Sequence, residues 1–505
     1  MAVRFEIYRE GQKLTSFQPV GAVVLGPESV PIAGDVVFKD GILSANRGDE
    51  HAIGIALLWD VGPLGVFHLE STRLQHREEP YILNVELARS RLMRIVQKRE
   101  DWNLFDFPKT EKFQQQFMDA QDLFIQAISI QKEEPAKAAT LADQALLAAM
   151  DLSEQLALFH GDLLLNRRRA NGPVVRHIIG ARIDPAIQNQ KYKDTVGEAF
   201  DYAVLPMSWR QFQPDEEEFH TEAVDEWVQY LTSKHLPIIG GPLIHLREQD
   251  VPDWLYIWEN DLDTFRELAF EYIQKTVFRY RKAVSVWNVV AGLGSNVAFP
   301  MSFEQCVELT RLLVMQVKNV SPGARTLVTI THPFGDNRAK MLAGAPPLLY
   351  AEMVAQSGIN FEGFGIELEL GVPAPGFFVR DLFQISCLLD RFSTFGKPVF
   401  LTSLLAPSRG TPDPSDRSAG KLDPAQAGRW HRPWDPDLQA DWMEAVYKLA
   451  ISKPFVENIA WGNIADINHT VPGGGLLDDM LQPKPSFIRL QSIREKLHTW
   501  NRRNG

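Results

Sequence analysis

The first 82 residues alternate short apolar runs with glycine and proline, a pattern typical of short β-strands joined by tight turns. Val23-Val24-Leu25 is followed by Gly26-Pro27, and an apolar run at 53–59 ends shortly before Gly62-Pro63. We therefore predict a small β-rich module over residues 1–82.

From residue 83 the apolar positions recur every three or four residues, as they do on one face of a helix. The first such stripe consists of Leu83, Leu87, Leu92, Ile95 and Val96. Two further helices are predicted over 111–131 and 135–166, and they can pack together as a hairpin. Asn171-Gly172-Pro173 then breaks the helical pattern, so residues 83–170 are predicted to form a helical segment.

Beyond residue 171, strand-like apolar runs alternate with helical patterns. Eight such runs are present, at residues 178–183, 202–206, 237–245, 284–290, 326–331, 363–370, 398–402 and 458–464. Eight β/α units in roughly 320 residues predict an α/β protein with a (β/α)8 TIM barrel over 171–505. A doubly wound sheet is the alternative, but Gly292-Leu293-Gly294-Ser295 lacks the third glycine of its phosphate-binding turn.

Charge and composition narrow the class of partner. The chain has 505 residues and a formal net charge of -12, so its overall field repels the phosphates of nucleic acid. Its two cysteines, Cys306 and Cys387, lie in predicted helices and cannot build a disulfide scaffold or a thiolate metal site. The N-terminus lacks the apolar core of a signal peptide, and no apolar stretch reaches the ~18 residues of a membrane helix. We expect a cytoplasmic protein that binds neither nucleic acid nor membrane.

Several local motifs occur in the order that one known family shows. They are Ile179-Gly180-Ala181, the run at 237–245 with Pro252-Asp253-Trp254 after it, Trp287-Asn288-Val289-Val290-Ala291-Gly292, Thr402-Ser403-Leu404, Trp461-Gly462 with Asp466, and Gln482-Pro483-Lys484-Pro485. With these motifs in this order, the chain resembles glycoside hydrolase family 10, the endo-β-1,4-xylanase-like barrels. The resemblance covers about the last two-thirds of the chain and implies a TIM barrel that acts on β-linked glycans.

The same alignment indicates that the family's chemistry is altered. Where the family carries its two catalytic glutamates, this chain has Gly292 and Ser403. The family's sugar-binding residues of the second unit align with Met207-Ser208 and Gln211, and those of the third strand with Gly241 and His245. Retaining hydrolysis needs two carboxyl groups that flank the scissile bond, so the standard mechanism is not expected here.

Other carboxyl groups are candidates for relocated acid and base. Glu367 and Glu369 are spaced i, i+2 on the sixth strand, so both are predicted to face the cleft. Glu369 with Asp466 of the eighth unit is the better candidate couple, because flanking a sugar requires different strands. The alternative is that these acids simply bind arginine, lysine or backbone amides of the covering loops.

Candidate substrate-binding residues follow the strand ends. Histidine titrates near neutral pH, and tryptophan can stack on the apolar face of a sugar, although both residue types also serve as ordinary packing or wall residues. The candidates are His245, Trp254, Trp287, His332, Trp461 and His469. No spacing of the HExxH kind is present, so neither a metal nor another cofactor is expected.

Three functional hypotheses follow from these observations. The first is a carbohydrate-related protein that binds a β-linked oligo- or polysaccharide without the standard retaining mechanism. The second is an active O-glycosyl hydrolase or transglycosidase that uses Glu367, Glu369 or Asp466. The third is a structural or assembly protein that forms homo-oligomers through its N-terminal helices.

Overall fold

The computed structural model of the chain describes residues 2–47, 51–104, 110–172, 178–295, 298–337, 345–412, 423–468 and 471–504. Within these residues, none of the helices is both long enough and apolar enough to cross a membrane.

The N-terminal strands form a small mixed sheet, a small antiparallel sheet and a short hairpin. Their bounds are β1 Ala2–Glu6, β2 Tyr8–Arg9, β3 Gln12–Lys13, β4 Val23–Leu25, β5 Pro31–Ile32, β6 Asp35–Lys39, β7 Ile42–Asn46, β8 Gly54–Asp60, β9 Gly65–Glu70 and β10 Tyr81–Ile82. The mixed sheet has the order β10-β1-β7-β6, in which β1 and β10 are parallel, and the antiparallel sheet contains β9-β8-β4-β5. The predicted β-rich region is therefore present at the start of the chain.

Three helices follow, and they lie close to the predicted positions. They are α1 Leu83–Asp101, α2 Glu111–Ile130 and α3 Pro135–Ala170. Helix α3 packs against α1 and α2 through small side chains such as Ala138, Ala142 and Ala149, which are completely buried. Alanine at these positions allows close approach of the helices and favours the helical conformation itself.

The barrel is a closed ring of parallel strands, which confirms the predicted (β/α)8 architecture. The strands of this part of the chain are β11 Ile179–Arg182, β12 Tyr202–Leu205, β13 Ile238–Gly240, β14 Ile244–His245, β15 Val284–Ala291, β16 Arg325–Ile330, β17 Gly363–Glu369, β18 Val399–Leu405, β19 Arg429–Trp430 and β20 Val456–Trp461. The ring closes because β20 pairs in parallel with both β11 and β18. Strand β14 continues the third barrel strand after Gly241-Pro242, where proline has no amide hydrogen to donate to a neighbouring strand.

Helices connect the barrel strands, and a last helix follows the eighth of them. They are α4 Gln190–Ala199, α5 Trp209–Phe212, α6 Glu222–Ser233, α7 Leu262–Tyr280, α8 Phe303–Val320, α9 Pro347–Gln356, α10 Leu382–Ser393, α11 Pro436–Ser452 and α12 Pro485–Asn504. A separate cluster of apolar side chains comes from six barrel strands, as inward-pointing positions of a filled barrel require. Its members are Tyr202, Val204, Ile239, Val286, Leu327, Phe400 and Ala460.

The N-terminal region and the barrel are joined by backbone and side-chain contacts. Strand β19, from the loop after the seventh barrel strand, pairs antiparallel with β9. The guanidinium of Arg91 on α1 lies 2.6 Å from the Asp381 carboxylate at the start of α10, and both side chains are buried. The indole of Trp102 donates a 2.8 Å hydrogen bond to Asp390. The domain divisions at residues 82 and 170 stay predictions.

Candidate functional site

The carboxyl ends of the barrel strands bring polar side chains from several units to one mouth. In a TIM barrel this face carries the binding and catalytic groups. Arg182 is the last residue of β11, His245 ends β14, and Glu367 and Glu369 lie at the end of β17. Ser403 lies on the neighbouring strand β18, where it pairs in register with Glu367.

Glu367 lies between two arginines at this mouth. Its Oε1 is 3.9 Å from Nη1 of Arg182, and its Oε2 is 3.9 Å from Nη1 of Arg247. Burial raises the pKa of Glu367 above its usual range, the charge of Arg247 opposes this rise, and the charge of Glu369 adds to it. The two ion pairs are longer than a hydrogen bond, so neither guanidinium is saturated by this carboxylate.

Glu369 is held by a residue of the next strand. The Ser403 hydroxyl donates a 2.5 Å hydrogen bond to Oε1 of Glu369, and both side chains are buried. Glu367 and Glu369 are both buried at the same strand end, but they have different partners, a pair of arginines and a hydroxyl. The two acids therefore occupy distinct environments within one mouth.

Asp466 takes part in a buried ion pair. Nζ of Lys484 donates to its carboxylate at 3.1 Å, and the amide of Gly475 donates at 2.7 Å. Lys484 also donates to the carbonyl of Gly473 at 2.6 Å. These contacts fix the loop after the eighth strand, and they favour the structural interpretation of Asp466 over the catalytic one.

His245 is buried without a hydrogen bond. Its Nδ1 lies 3.2 Å from Oδ2 of Asp250, but the geometry is outside that of a hydrogen bond, and neither ring nitrogen has a hydrogen-bond partner in the part of the chain that the structure describes. Burial, followed by the charges of Arg247 and Arg182, lowers the pKa of His245 well below its usual range. The imidazole is therefore neutral at physiological pH and offers one donor and one acceptor.

Of the other two predicted histidines, the structure describes His332 only. His332 is partly buried, its ring meets Phe377 edge-on at 4.8 Å, and burial lowers its pKa. Asp336 nearby is buried and accepts from the Gly376 amide at 2.9 Å. His469 lies outside the described residues.

The three predicted tryptophans have different exposures. Trp287 and Trp461 are completely buried, and the indole of Trp461 donates to the Gly474 carbonyl at 2.8 Å. Trp254 is only partly buried, donates to the Gln213 carbonyl at 3.0 Å and meets Trp209 edge-on. Burial favours a packing role for Trp287 and Trp461, whereas Trp254 keeps surface on which a sugar could stack.

Gly292 directly follows the fourth barrel strand in a left-handed conformation. Its φ is +66°, and a Cβ atom there would lie 2.6 Å from Oγ1 of Thr331. Thr331 is itself held by a 2.8 Å hydrogen bond with Ser295. The backbone and its neighbours therefore fit glycine and disfavour any larger residue.

Two arginines of the mouth were not predicted from the sequence. Arg182 and Arg247 lie at or just beyond strand ends, and this position in the sequence could have indicated that they belong to the mouth. Within the described ranges, no group of three or more histidine, cysteine, aspartate or glutamate side chains is arranged to hold a metal ion.

The chain is similar to known proteins over part of its length. The sequence model of glycosyl hydrolase family 10 matches residues 173–295. Xylanase 10B from Thermotoga maritima is 16% identical, with 64% of this chain and 97% of that chain covered and a TM-score of 0.48. Xylanase B from Clostridium stercorarium F9 is 17% identical, with 63% of this chain and 99% of that chain covered and a TM-score of 0.47. None of the curated proteins compared with the chain matches it.

The closed ring of parallel strands defines the class, a (β/α)8 barrel. The family match, which begins before the first barrel strand and extends past Gly292, makes residues 173–295 similar to glycosyl hydrolase family 10. That match suggests a carbohydrate-related function.

Proposed function

We propose that the mouth of this barrel binds a β-linked oligo- or polysaccharide and does not hydrolyse it by the retaining two-carboxylate mechanism. The observation that carries the proposal is the chemistry of the ends of strands four and seven. Gly292 follows β15 with no side chain, and Ser403 on β18 presents a hydroxyl. Retaining hydrolysis needs two carboxyl groups about 5–5.5 Å apart on either side of the bond.

The three acids predicted as relocated catalytic groups already have partners. Asp466 is bound by Lys484 and by the Gly475 amide, and Glu369 accepts from Ser403. Glu367 lies between Arg182 and Arg247. Carboxylates engaged in this way are suited to binding and support more than to nucleophilic attack, because each would have to leave its partner first.

The polar groups of the mouth also suit a polyhydroxylated ligand. Arginine supplies donors in a fixed fork, carboxylates supply acceptors, and a neutral imidazole supplies one of each. Arg182, Glu367 and His245 bring all three kinds to one place from three different strands. Trp254 adds a partly exposed aromatic ring on the loop after the third strand.

Binding and turnover can be tested together on the purified full-length protein. Titration calorimetry with xylohexaose, cellohexaose and a mixed-linkage glucan oligosaccharide should give heat of binding, whereas the same sugars should remain uncleaved after prolonged incubation. Glu367→Gln should weaken binding, and Glu133→Gln, in the exposed turn between α2 and α3, is the matched control. Failure of all three sugars to bind would defeat the proposal.

A second candidate, a hydrolase with a relocated acid, is favoured by one observation. Burial raises the pKa of Glu367, and a carboxylic acid that keeps its proton can protonate a leaving group. This candidate predicts slow turnover of aryl β-xylosides that is lost in both Glu367→Gln and Glu369→Gln. Turnover of that kind would replace the binding-only proposal.

Assembly and location remain proposals as well. Met118 and Ile125 are exposed on α2, and a second copy of the chain could cover them. Sedimentation that gives a monomer at micromolar concentration would exclude a stable homo-oligomer. Cytoplasmic location is tested by fractionation of the native cells.

A further inference from the structure

The charged groups of the barrel mouth are arranged in two layers. The side chains of Arg182 and Arg247 keep 21% and 25% of their surface exposed, whereas the Glu367 side chain keeps 6%. A ligand that arrives from solvent therefore meets guanidinium groups before it meets this carboxylate. Asp250, which pairs with Arg247, is 16% exposed, so this outer layer holds two guanidiniums and one carboxylate and keeps a net positive charge, although the whole chain carries a net charge of -12.

The donors of these arginines are largely unused. In the part of the chain that the structure describes, the Arg182 guanidinium donates no hydrogen bond, and its nearest acid, Glu367, is 3.9 Å away. Arg247 donates through Nε to Asp250 at 3.3 Å, while its Nη1 is 3.9 Å from Glu367. A guanidinium in a partly buried position usually saturates its donors with carboxylate or phosphate-like acceptors, so the Arg182 guanidinium and the Nη donors of Arg247 remain available to a ligand.

A third group in the same place, His245, lacks a hydrogen-bond partner among the residues that the structure describes. Its side chain is only 3% exposed, and its nearest acid, Asp250, lies 3.2 Å from Nδ1 outside hydrogen-bond geometry. The charges of Arg247 and Arg182 act on this imidazole, which places it beside the two guanidiniums. A buried polar group without a partner is costly, so its presence here points to a bound molecule that supplies one.

We propose that the mouth recognises a sugar that carries an anionic substituent, and that Arg182 and Arg247 bind this substituent while His245 bonds to a neighbouring hydroxyl. The inference rests on the proposed glycan-binding function and adds the class of sugar. A uronate carboxylate and a sulfate ester share the required chemistry, because both present several acceptor oxygens to a guanidinium fork.

The test compares three matched ligands on the full-length protein by titration calorimetry. These are cellotetraose, the same oligosaccharide oxidised at C6 to the uronate, and the same oligosaccharide sulfated at O6. The wild-type protein should bind at least one anionic ligand about tenfold or more tightly than the neutral one at low salt, and added salt should reduce this preference. The anion that is preferred identifies the substituent.

Variants connect this preference to the two arginines. Arg182→Gln and Arg247→Gln should each weaken binding of the anionic ligand about tenfold more than they weaken binding of cellotetraose. Arg182→Lys keeps the charge but loses the fork, so it should give an intermediate preference. Arg432→Gln, an exposed arginine that pairs with Asp435, is the control and should change nothing. Thermal melting of each variant verifies that it is folded.

The outcomes separate this inference from the function on which it rests. If cellotetraose binds and neither anionic ligand binds more tightly, the inference is overturned and the glycan-binding proposal stands. The inference is also overturned if Arg182→Gln and Arg247→Gln weaken neutral and anionic ligands equally. If none of these three ligands binds, the inference is overturned, and the glycan-binding proposal fails as well if xylohexaose, cellohexaose and the mixed-linkage oligosaccharide also do not bind.

Discussion

Ser403 donates its hydroxyl to Oε1 of Glu369 at 2.5 Å, across the sixth and seventh strands of the barrel. Ser403 thus serves as the hydrogen-bond donor to a carboxylate on the neighbouring strand. This contact links the two strand ends that form one side of the mouth.

Ser403→Ala should therefore destabilise the protein. The substitution leaves a buried carboxylate without its donor, which costs about 1–3 kcal/mol in free energy of unfolding. Ser408→Ala is the control, because Ser408 is also buried but donates to a neutral acceptor, the Gly473 carbonyl, at 2.8 Å. Urea unfolding followed by tryptophan fluorescence measures both. Equal losses would mean that the charge of Glu369 adds nothing to the contact.

Gly292→Ala is expected to cost about 1–3 kcal/mol in free energy of unfolding, because it combines a left-handed φ with close approach to Thr331. Gly358 has a φ of +73° and open space around it, so Gly358→Ala isolates the conformational cost. Gly323 has neither a left-handed φ nor an atom close to the position of a Cβ, so Gly323→Ala should be neutral or slightly stabilising. A ranking in which Gly292→Ala is no worse than Gly358→Ala would contradict the proposed clash. A glutamate at 292 would meet the same obstacles.

Asp466→Asn should destabilise the protein by roughly 3 kcal/mol or more, because it leaves the buried ammonium of Lys484 without its carboxylate. The double variant Asp466→Asn with Lys484→Met should recover part of this loss. Asp263→Asn breaks an exposed pair with Arg266 and should cost less than about 1 kcal/mol. A fully stable Asp466→Asn protein would argue for a functional role of Asp466 instead of a structural one.

Acid should weaken the fold through His160, whose ring stacks on Trp102 at 4.4 Å. Burial, assisted by the charge of Lys453, lowers the pKa of His160 to about 4, from an unfolded value near 6.5. Between these values the unfolded chain binds more protons than the folded one, so stability rises with pH across this window. The stability that the buried neutral His160 contributes is fully present above about pH 6.5 and is lost as the pH falls toward 4.

His160→Phe keeps the aromatic stack but removes the titrating group. Its free energy of unfolding should therefore fall less steeply than that of the wild type between about pH 6.5 and 4. Over this window the wild type should lose at most roughly 3 kcal/mol more than the variant. His220→Gln, at an exposed histidine that pairs with Glu218, is the comparison variant. Parallel slopes for wild type and His160→Phe would show that His160 does not titrate in this range.

The barrel could be predicted from the sequence because the pattern of an apolar run followed by a helix occurs eight times. Eight apolar runs at regular intervals specify eight parallel strands, and the observed bounds, such as Gly363–Glu369 for the predicted 363–370, differ by few residues. The third run was the exception, because Gly241-Pro242 divides it into β13 and β14. Residues at strand ends, including Glu367 and His245, were predicted at the mouth because parallel strands place their carboxyl ends on one face.

The partners of these residues could not be predicted in the same way. Arg182 and Arg247 resemble ordinary surface residues in the sequence, since an arginine after a strand is common on loops. Trp287 and Trp461 could not be assigned to core or to ligand stacking, because both environments favour the same large aromatic ring. Only three-dimensional packing distinguishes these cases.

Strand β19 belongs to the loop after the seventh barrel strand and is also hydrogen-bonded to β9 of the N-terminal region. An isolated barrel cut from this chain would consequently have an unsatisfied backbone edge beside its mouth, with its amides and carbonyls free to pair with another chain. Anyone who transplants this barrel as a scaffold should carry the leading residues with it, or redesign that loop so that it closes on itself.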